Sequence, residues 1–151
     1  MSISIRPILN TDEIETCARM MAASEPWITL GRDYAASRAT LTHPDKDVFV
    51  AIANDQIAGF VIINMHGALV GYIQSICIAE TFRGHGVGSH LMQFAEEQIF
   101  RTSANAFIMV SSFNDGARRL YERLGYHVVG ELTDFIIKGH SEILLRKTRP
   151  S

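Results

Sequence analysis

The sequence predicts one mixed α/β domain, a central sheet with helices on both of its faces. Three observations carry this expectation. Segments of period-two apolar alternation interleave with segments of helical period along the chain. The 151 residues, 47% of them hydrophobic, are the size of an ordinary domain and long enough to bury a core without staples. No internal repeat, low-complexity stretch or Gly/Ser linker divides them, so a single domain over 1–151 is expected.

The elements follow in order. Ile3 and Ile5 alternate with polar residues in a short first strand that Pro7 ends. Thr11 or Asp12 is expected to cap a helix running to about Ala23, with Ile14, Cys17, Ala18 and Met21 on one face. Pro26 breaks it, and a second helix spans about Arg32 to Leu41. Val48 to Ala53 is a strand, Asn54-Asp55 a hairpin turn, and Ile57 to Ile63 the returning strand. After Gly67, Leu69 to Ile78 reads as a third strand that leads into a glycine loop. From Gly88 the period becomes helical, with Leu91, Met92, Ala95 and Ile99 on one stripe and Glu96, Glu97 and Gln98 facing away. Phe107 to Val110 is a short buried strand. Asn114 caps a helix with Ala117, Leu120, Tyr121 and Leu124 on one face, and Gly125 ends it. Tyr126 to Glu131 and Glu142 to Arg146 are two closing strands.

Composition removes several classes. Net charge is −2, from 14 basic and 16 acidic residues, which lacks the basic excess of a nucleic-acid binder. No block of like charge suggests a membrane surface, and no stretch is long enough to span a bilayer. Cys17 and Cys77 are two isolated thiols, no disulfide framework. The first seven residues lack a charged leader followed by an apolar run, so a reduced, cytoplasmic setting is expected.

The chemistry concentrates in Arg83-Gly84-His85-Gly86-Val87-Gly88-Ser89, a loop between a strand and an amphipathic helix. The first N–H groups of a helix lack intrahelical partners and sit at the positive end of its dipole, which together make an anion site. Glycines let phosphate oxygens approach the backbone, and Arg83 adds a cation. A bare glycine turn would only pack strand on helix. Three alternating glycines after an arginine favour a ligand. Ser89-His90 replaces the Lys-Ser/Thr of a nucleotide-triphosphate loop, and Ser89 stands where a dinucleotide fingerprint needs its third glycine.

The spacing Arg-x-x-Gly-x-Gly, occupied by Arg83, Gly86 and Gly88, resembles the acetyl-CoA signature of the GNAT family of N-acetyltransferases. Asn114 to Tyr126 is similar to that family's later motif, an Asn, then Ala, Leu-Tyr and Leu-Gly-Tyr. The element order over the whole chain fits as well. The resemblance implies a mostly antiparallel sheet of about six or seven strands, with a bulge that splays the strand before the loop from the strand at 107–110. It implies that Ile76, Cys77 and Ile78 offer backbone groups to the pantetheine arm, as an added strand would receive them. It implies that the N–H groups of Gly84, His85, Gly86, Val87, Gly88 and Ser89, with Arg83, hold the pyrophosphate. Asn114 and Ala117 would contact the pantetheine, and Tyr121 would stand near the thioester sulfur as the acid for the departing thiolate. The implied reaction is direct acetyl transfer from acetyl-CoA to a primary amine, without a metal, and a homodimer is common in the family.

Single residues carry weaker signals. Tyr121 alone reads as a buried helix aromatic; the motif around it reverses that reading. Cys77 beside the thioester admits a covalent acetyl-cysteine, although strand alternation makes it packing. His85 and His90 read as loop residues. Trp27 either lines the acceptor pocket or anchors the helix corner. Many relatives carry a carboxylate general base on the strand before the loop, but Gly71 to Ile76 has none. Tyr72 or Gln74 could organise a water chain in its place. Glu25, Asp33, Asp134, His140 and Glu142 are the other groups in reach. The missing carboxylate also motivates the alternative of a CoA-binding module without catalysis.

Overall fold

The computed structural model describes residues 1–151. The elements are β1 (Ser4–Pro7), α1 (Thr11–Ala22), α2 (Tyr34–Leu41), β2 (Lys46–Ala53), β3 (Gln56–Asn64), β4 (Tyr72–Ile78), α3 (Val87–Phe100), β5 (Asn105–Ser111), α4 (Asp115–Arg123), β6 (His127–Leu132) and β7 (Glu142–Thr148). A single 3-10 turn, Glu80–Phe82, precedes the glycine loop. Seven strands form one sheet in the order β1-β2-β3-β4-β5-β7-β6. All neighbouring pairs are antiparallel except β4 and β5.

Several boundaries differ from the sequence expectation, each for a local reason. The cap of α1 is Asn10, whose side chain accepts from the Glu13 N–H, not Thr11 or Asp12. Asp33 caps α2 through the Ala36 N–H, so Arg32 lies outside that helix. Leu69 to Gly71 are turn, not strand: Gly71 has φ +87°, and its carbonyl accepts from the Phe107 N–H at 2.9 Å. A Cβ at Gly71 would collide with the Asn105 carbonyl oxygen and lie 2.7 Å from Ile99 Cγ2. Only glycine lets β4 begin this close to the start of β5. Glu96 does not face away with Glu97. It turns inward, accepting from Lys147 Nζ at 2.7 Å and Tyr126 Oη at 3.0 Å.

Two apolar cores lie on opposite faces of the sheet, because strand side chains alternate between faces. α3 covers one face, setting Leu91, Met92, Ala95 and Ile99 against Val61, Ile63, Ile73, Ile108, Val110 and Leu145. α1 and α2 cover the other, where Cys17, Ala18, Met21 and Leu41 meet Val48, Val50, Phe60, Ile62 and Cys77. β6 is the far edge strand and leaves Val128 and Val129 about half exposed. No helix is long and apolar enough to cross a membrane.

One irregularity positions everything that follows. Ile62 pairs with Ser75 but Ile63 pairs with Ile73, so Gln74 is an extra residue in β4. The bulge reverses the alternation. Ile73 faces α3, yet beyond the bulge Ile76 and Ile78 pack on the α3 side while Cys77 enters the α1 core. It also bends β4 away from β5. The two strands share only Tyr72↔Phe107 and Ile73↔Ile108 before they part.

Candidate active site

A cleft of about 840 Å³ opens where β4 and β5 part. Its walls come from β4, the end of β5, the start of α4, the α1–α2 connection and the β6–β7 loop. On β4, Ala79 N–H donates to Ala58 O, so by alternation Cys77 and Ser75 turn their backbone groups toward β3. Ile76 and Ile78 therefore point theirs into the gap, where β5 no longer follows. The Ile78 carbonyl takes Arg83 Nε at 3.4 Å. The rest of this edge is ready for an extended ligand chain.

The glycine loop continues from that edge. Gly84 and Gly86 hold φ of +80° and +81°, a left-handed backbone favoured by glycine. No side chain caps α3. None of the six N–H groups from Gly84 to Ser89 donates to a protein acceptor. Six unpaired donors at a helix N-terminus beside Arg83 fit the pyrophosphate of CoA.

The cleft brings together most of the residues singled out from sequence. Ile76, Cys77, Ile78, Arg83, Gly88, Asn114, Ala117 and Tyr121 line it. Gly84, His85, Gly86, Val87 and Ser89 do not, for two reasons. The loop lies at the surface outside the cleft, and the Val87 side chain is buried in the core under α3. Their backbone N–H groups are without a protein acceptor. Asn114 caps α4, accepting from the Ala117 N–H at 3.3 Å, and its own N–H donates to Ser111 O at 2.8 Å. Trp27 lines the cleft and also packs on the α1 core.

The titratable groups separate by environment. Tyr121 is 6% exposed, and burial pushes its phenol well above the ordinary value. Its hydroxyl has no protein partner and is not sealed from the cleft. The Cys77 thiol is pushed up to about 11, by burial first, against a hydrogen bond to Ser24 and the Arg83 charge. A thiol held in that form and turned into the α1 core is packing, not a nucleophile. Tyr72 is raised to about 12 by burial and then by the charge of Glu142.

The carboxylates and the imidazole expected in reach divide the same way. Glu25 lines the cleft but spends both oxygens on the Thr29 N–H and hydroxyl, at 2.9 and 2.8 Å. Asp33 is the α2 cap, Asp134 closes its loop on the Gly139 N–H at 2.7 Å, and His140 stacks edge-on to Phe113. Glu142 lines the cleft, 5% exposed, and accepts from Ser111 Oγ at 2.8 Å. Nothing in the sequence pattern singles out Ser111 or the apolar pair Phe135 and Ile136, which also line the cleft. Ser111 is only the small polar residue that follows the apolar run Ala106 to Val110.

The acetyltransferase (GNAT) family model matches residues 10–126. The chain belongs to that family. It is 29% identical over 96 residues to N-alpha-acetyltransferase 30 of Schizosaccharomyces pombe, an alignment covering 60% of this chain and 64% of that protein, just under two thirds. A crystal structure of nourseothricin acetyltransferase is 30% identical, with a TM-score of 0.63 over 71% of this chain and 67% of that one. An aminoglycoside 6'-N-acetyltransferase complexed with coenzyme A superposes over 100% of both chains with a TM-score of 0.78, at 16% identity, which is a likeness of fold.

Proposed function

We propose that the protein transfers the acetyl group of acetyl-CoA directly to a primary amine. The observation that carries the reading is the run of unpaired backbone donors. It passes from the free β4 edge at Ile76 and Ile78 to the six N–H groups at Gly84–Ser89. Ile76 and Ile78 take the pantetheine arm, the loop and Arg83 hold the pyrophosphate, and Asn114 and Ala117 border the arm from α4. The Ile78 N–H is placed to polarise the thioester carbonyl. Tyr121 is the acid for the departing sulfur. Burial keeps its phenol protonated across the working range, so a donor is always present.

The acceptor enters from the side bordered by Trp27, Ile28, Phe135 and Ile136. Ile28 and Phe135 are more than half exposed there, which favours an amine on an apolar body. The named relatives bracket the choice between a polypeptide N-terminus and a small amine-bearing molecule.

Thermal-shift titration with acetyl-CoA, followed by thiol release over a panel of amines and peptides, tests the reading. Binding with thiol release supports it. Binding without release against the whole panel would instead favour a CoA-binding module. Tyr121→Phe should lower turnover by about 10²-fold or more while acetyl-CoA affinity changes little. Equal turnover in that variant removes the role given to Tyr121.

A further inference from the structure

We infer that Glu142 is the proton acceptor for the incoming amine, using the oxygen that Ser111 leaves free; the inference rests on the amine-acetylation reading above. Three carboxylates line the cleft: Glu25, Glu80 and Glu142. Glu80 is exposed at the glycine-loop end, and both oxygens of Glu25 are engaged by Thr29. Glu142 is the buried one. Its Oε2 accepts from Ser111 Oγ at 2.8 Å, whereas its Oε1 receives no protein donor. Oε1 is not a sealed atom, since the buried atoms without a partner are Ser37 Oγ and Gln74 Oε1. It therefore opens on the cleft.

Glu142 forms no ion pair, and the imidazole of His140 is the one basic group whose charge reaches it. The ion pairs of the molecule are Arg6–Glu13, Arg118–Glu122 and Lys147–Glu96. A buried carboxylate without an ion-pair partner is costly, and an arriving ammonium supplies one. Its position suits the chemistry. Glu142 stands opposite Ser111 in the β5–β7 register, and Ile143 next to it enters the α3 core. Glu142 therefore lies on the opposite face, the side of the α1–α2 connection. Tyr121 belongs to the α3-side core. Proton acceptor and proton donor thus flank the gap from its two sides. Two hydrogen bonds, Ser112 N–H to Ser141 O at 2.9 Å and Ser141 N–H to Ser112 Oγ at 3.2 Å, fix the start of β7 against the end of β5.

The groups that face Glu142 are Tyr72 from β4, Ser111 from β5 and His140 from the β6–β7 loop, while Glu25 across the cleft is held by Thr29. Burial, the largest influence, raises the Glu142 carboxyl, which the Ser111 hydrogen bond and His140 oppose. A raised carboxyl is a stronger base than a solvent-exposed one. The protons balance as follows. The ammonium gives one proton to Glu142, which passes it to solvent. The freed amine forms the C–N bond as the C–S bond breaks, and sulfur takes the Tyr121 phenolic proton. The second proton leaving nitrogen replaces the one Tyr121 gave.

The test compares Glu142→Gln with the unaltered full chain at saturating acetyl-CoA, reading thiol release. The two acceptor probes are phenethylamine, protonated near neutral pH, and O-benzylhydroxylamine, unprotonated there. The expected result is a loss of about 10²-fold or more in kcat/KM on phenethylamine and of about threefold or less on O-benzylhydroxylamine. The acetyl-CoA thermal shift should be retained, which shows the variant folded. Ser111→Ala keeps the carboxylate but removes its donor, so the acid limb of the kcat/KM–pH profile should move to higher pH. Equal losses on the two probes, or an unmoved acid limb in Ser111→Ala, overturn the role. If the unaltered chain releases no thiol with either probe or any amine of the panel, the acetylation reading itself fails.

Discussion

Asn114 ties two elements with one residue. Its side chain starts α4 through the Ala117 N–H, and its backbone N–H holds the end of β5 at Ser111 O. Asn114→Ala should cost about 1 kcal/mol from the lost cap, read as a lower urea midpoint with unchanged slope, and Asn114→Ser should recover most of it. Asn114 was legible as the α4 cap and Tyr121 as part of that helix's buried face, because positions along a single helix fix where side chains point. Glu142 was legible only as one group among five. The role proposed for it depends on which residue of β5 it faces, and strand register between distant segments leaves no local trace. Ser111 left less still, because its role exists only through that pairing. The glycine loop was plain for the opposite reason, since its chemistry is carried by the backbone of consecutive residues.

Elements meet through a few exact fits. Gly71 lets β4 start beside β5 in a conformation and a space that admit no side chain. Gly71→Ala should destabilise the protein by about 2–3 kcal/mol, measured by urea or thermal unfolding. A loss under a few tenths would mean that the turn relaxes freely. The sequence pattern ran this strand from Leu69, since apolar content continues through Val70 while the left-handed φ at Gly71 has no period to reveal it. Glu96 is a similar case. Helical period places it beside Glu97, yet α3 meets β7 there, and Lys147 and Tyr126 draw it inward. Glu96→Ala leaves a half-buried ammonium and a phenol unpartnered, so a loss of about 1–3 kcal/mol is expected by the same measurement. The succession of strands and helices along the chain and the helices on both faces were readable because periods of two and of three to four dominate nearly every segment, whereas the order of the strands in the sheet has no such local trace.

At the scale of the molecule, the two thiols report cooperativity. Cys17 and Cys77 are buried in the core under α1, and burial pushes them up to about 12 and about 11. A thiol reagent near neutral pH should modify neither in the native protein, and labelling across a urea series should track global unfolding. Fast native labelling of Cys17, which does not border the cleft, would mean that α1 opens on its own. The brevity of the β4–β5 pairing has a wider consequence. Two matched positions are the whole seam between a leaf of β1 to β4 and a leaf of β5, β7 and β6. The join is short, although both halves share the core under α3, and an extended ligand lying in the gap would lengthen it. Hydrogen exchange should then show the Ile76 and Ile78 amides slowing when acetyl-CoA binds, with melting temperature rising with its concentration. The donor substrate would be, in mechanical terms, a removable strand of the protein.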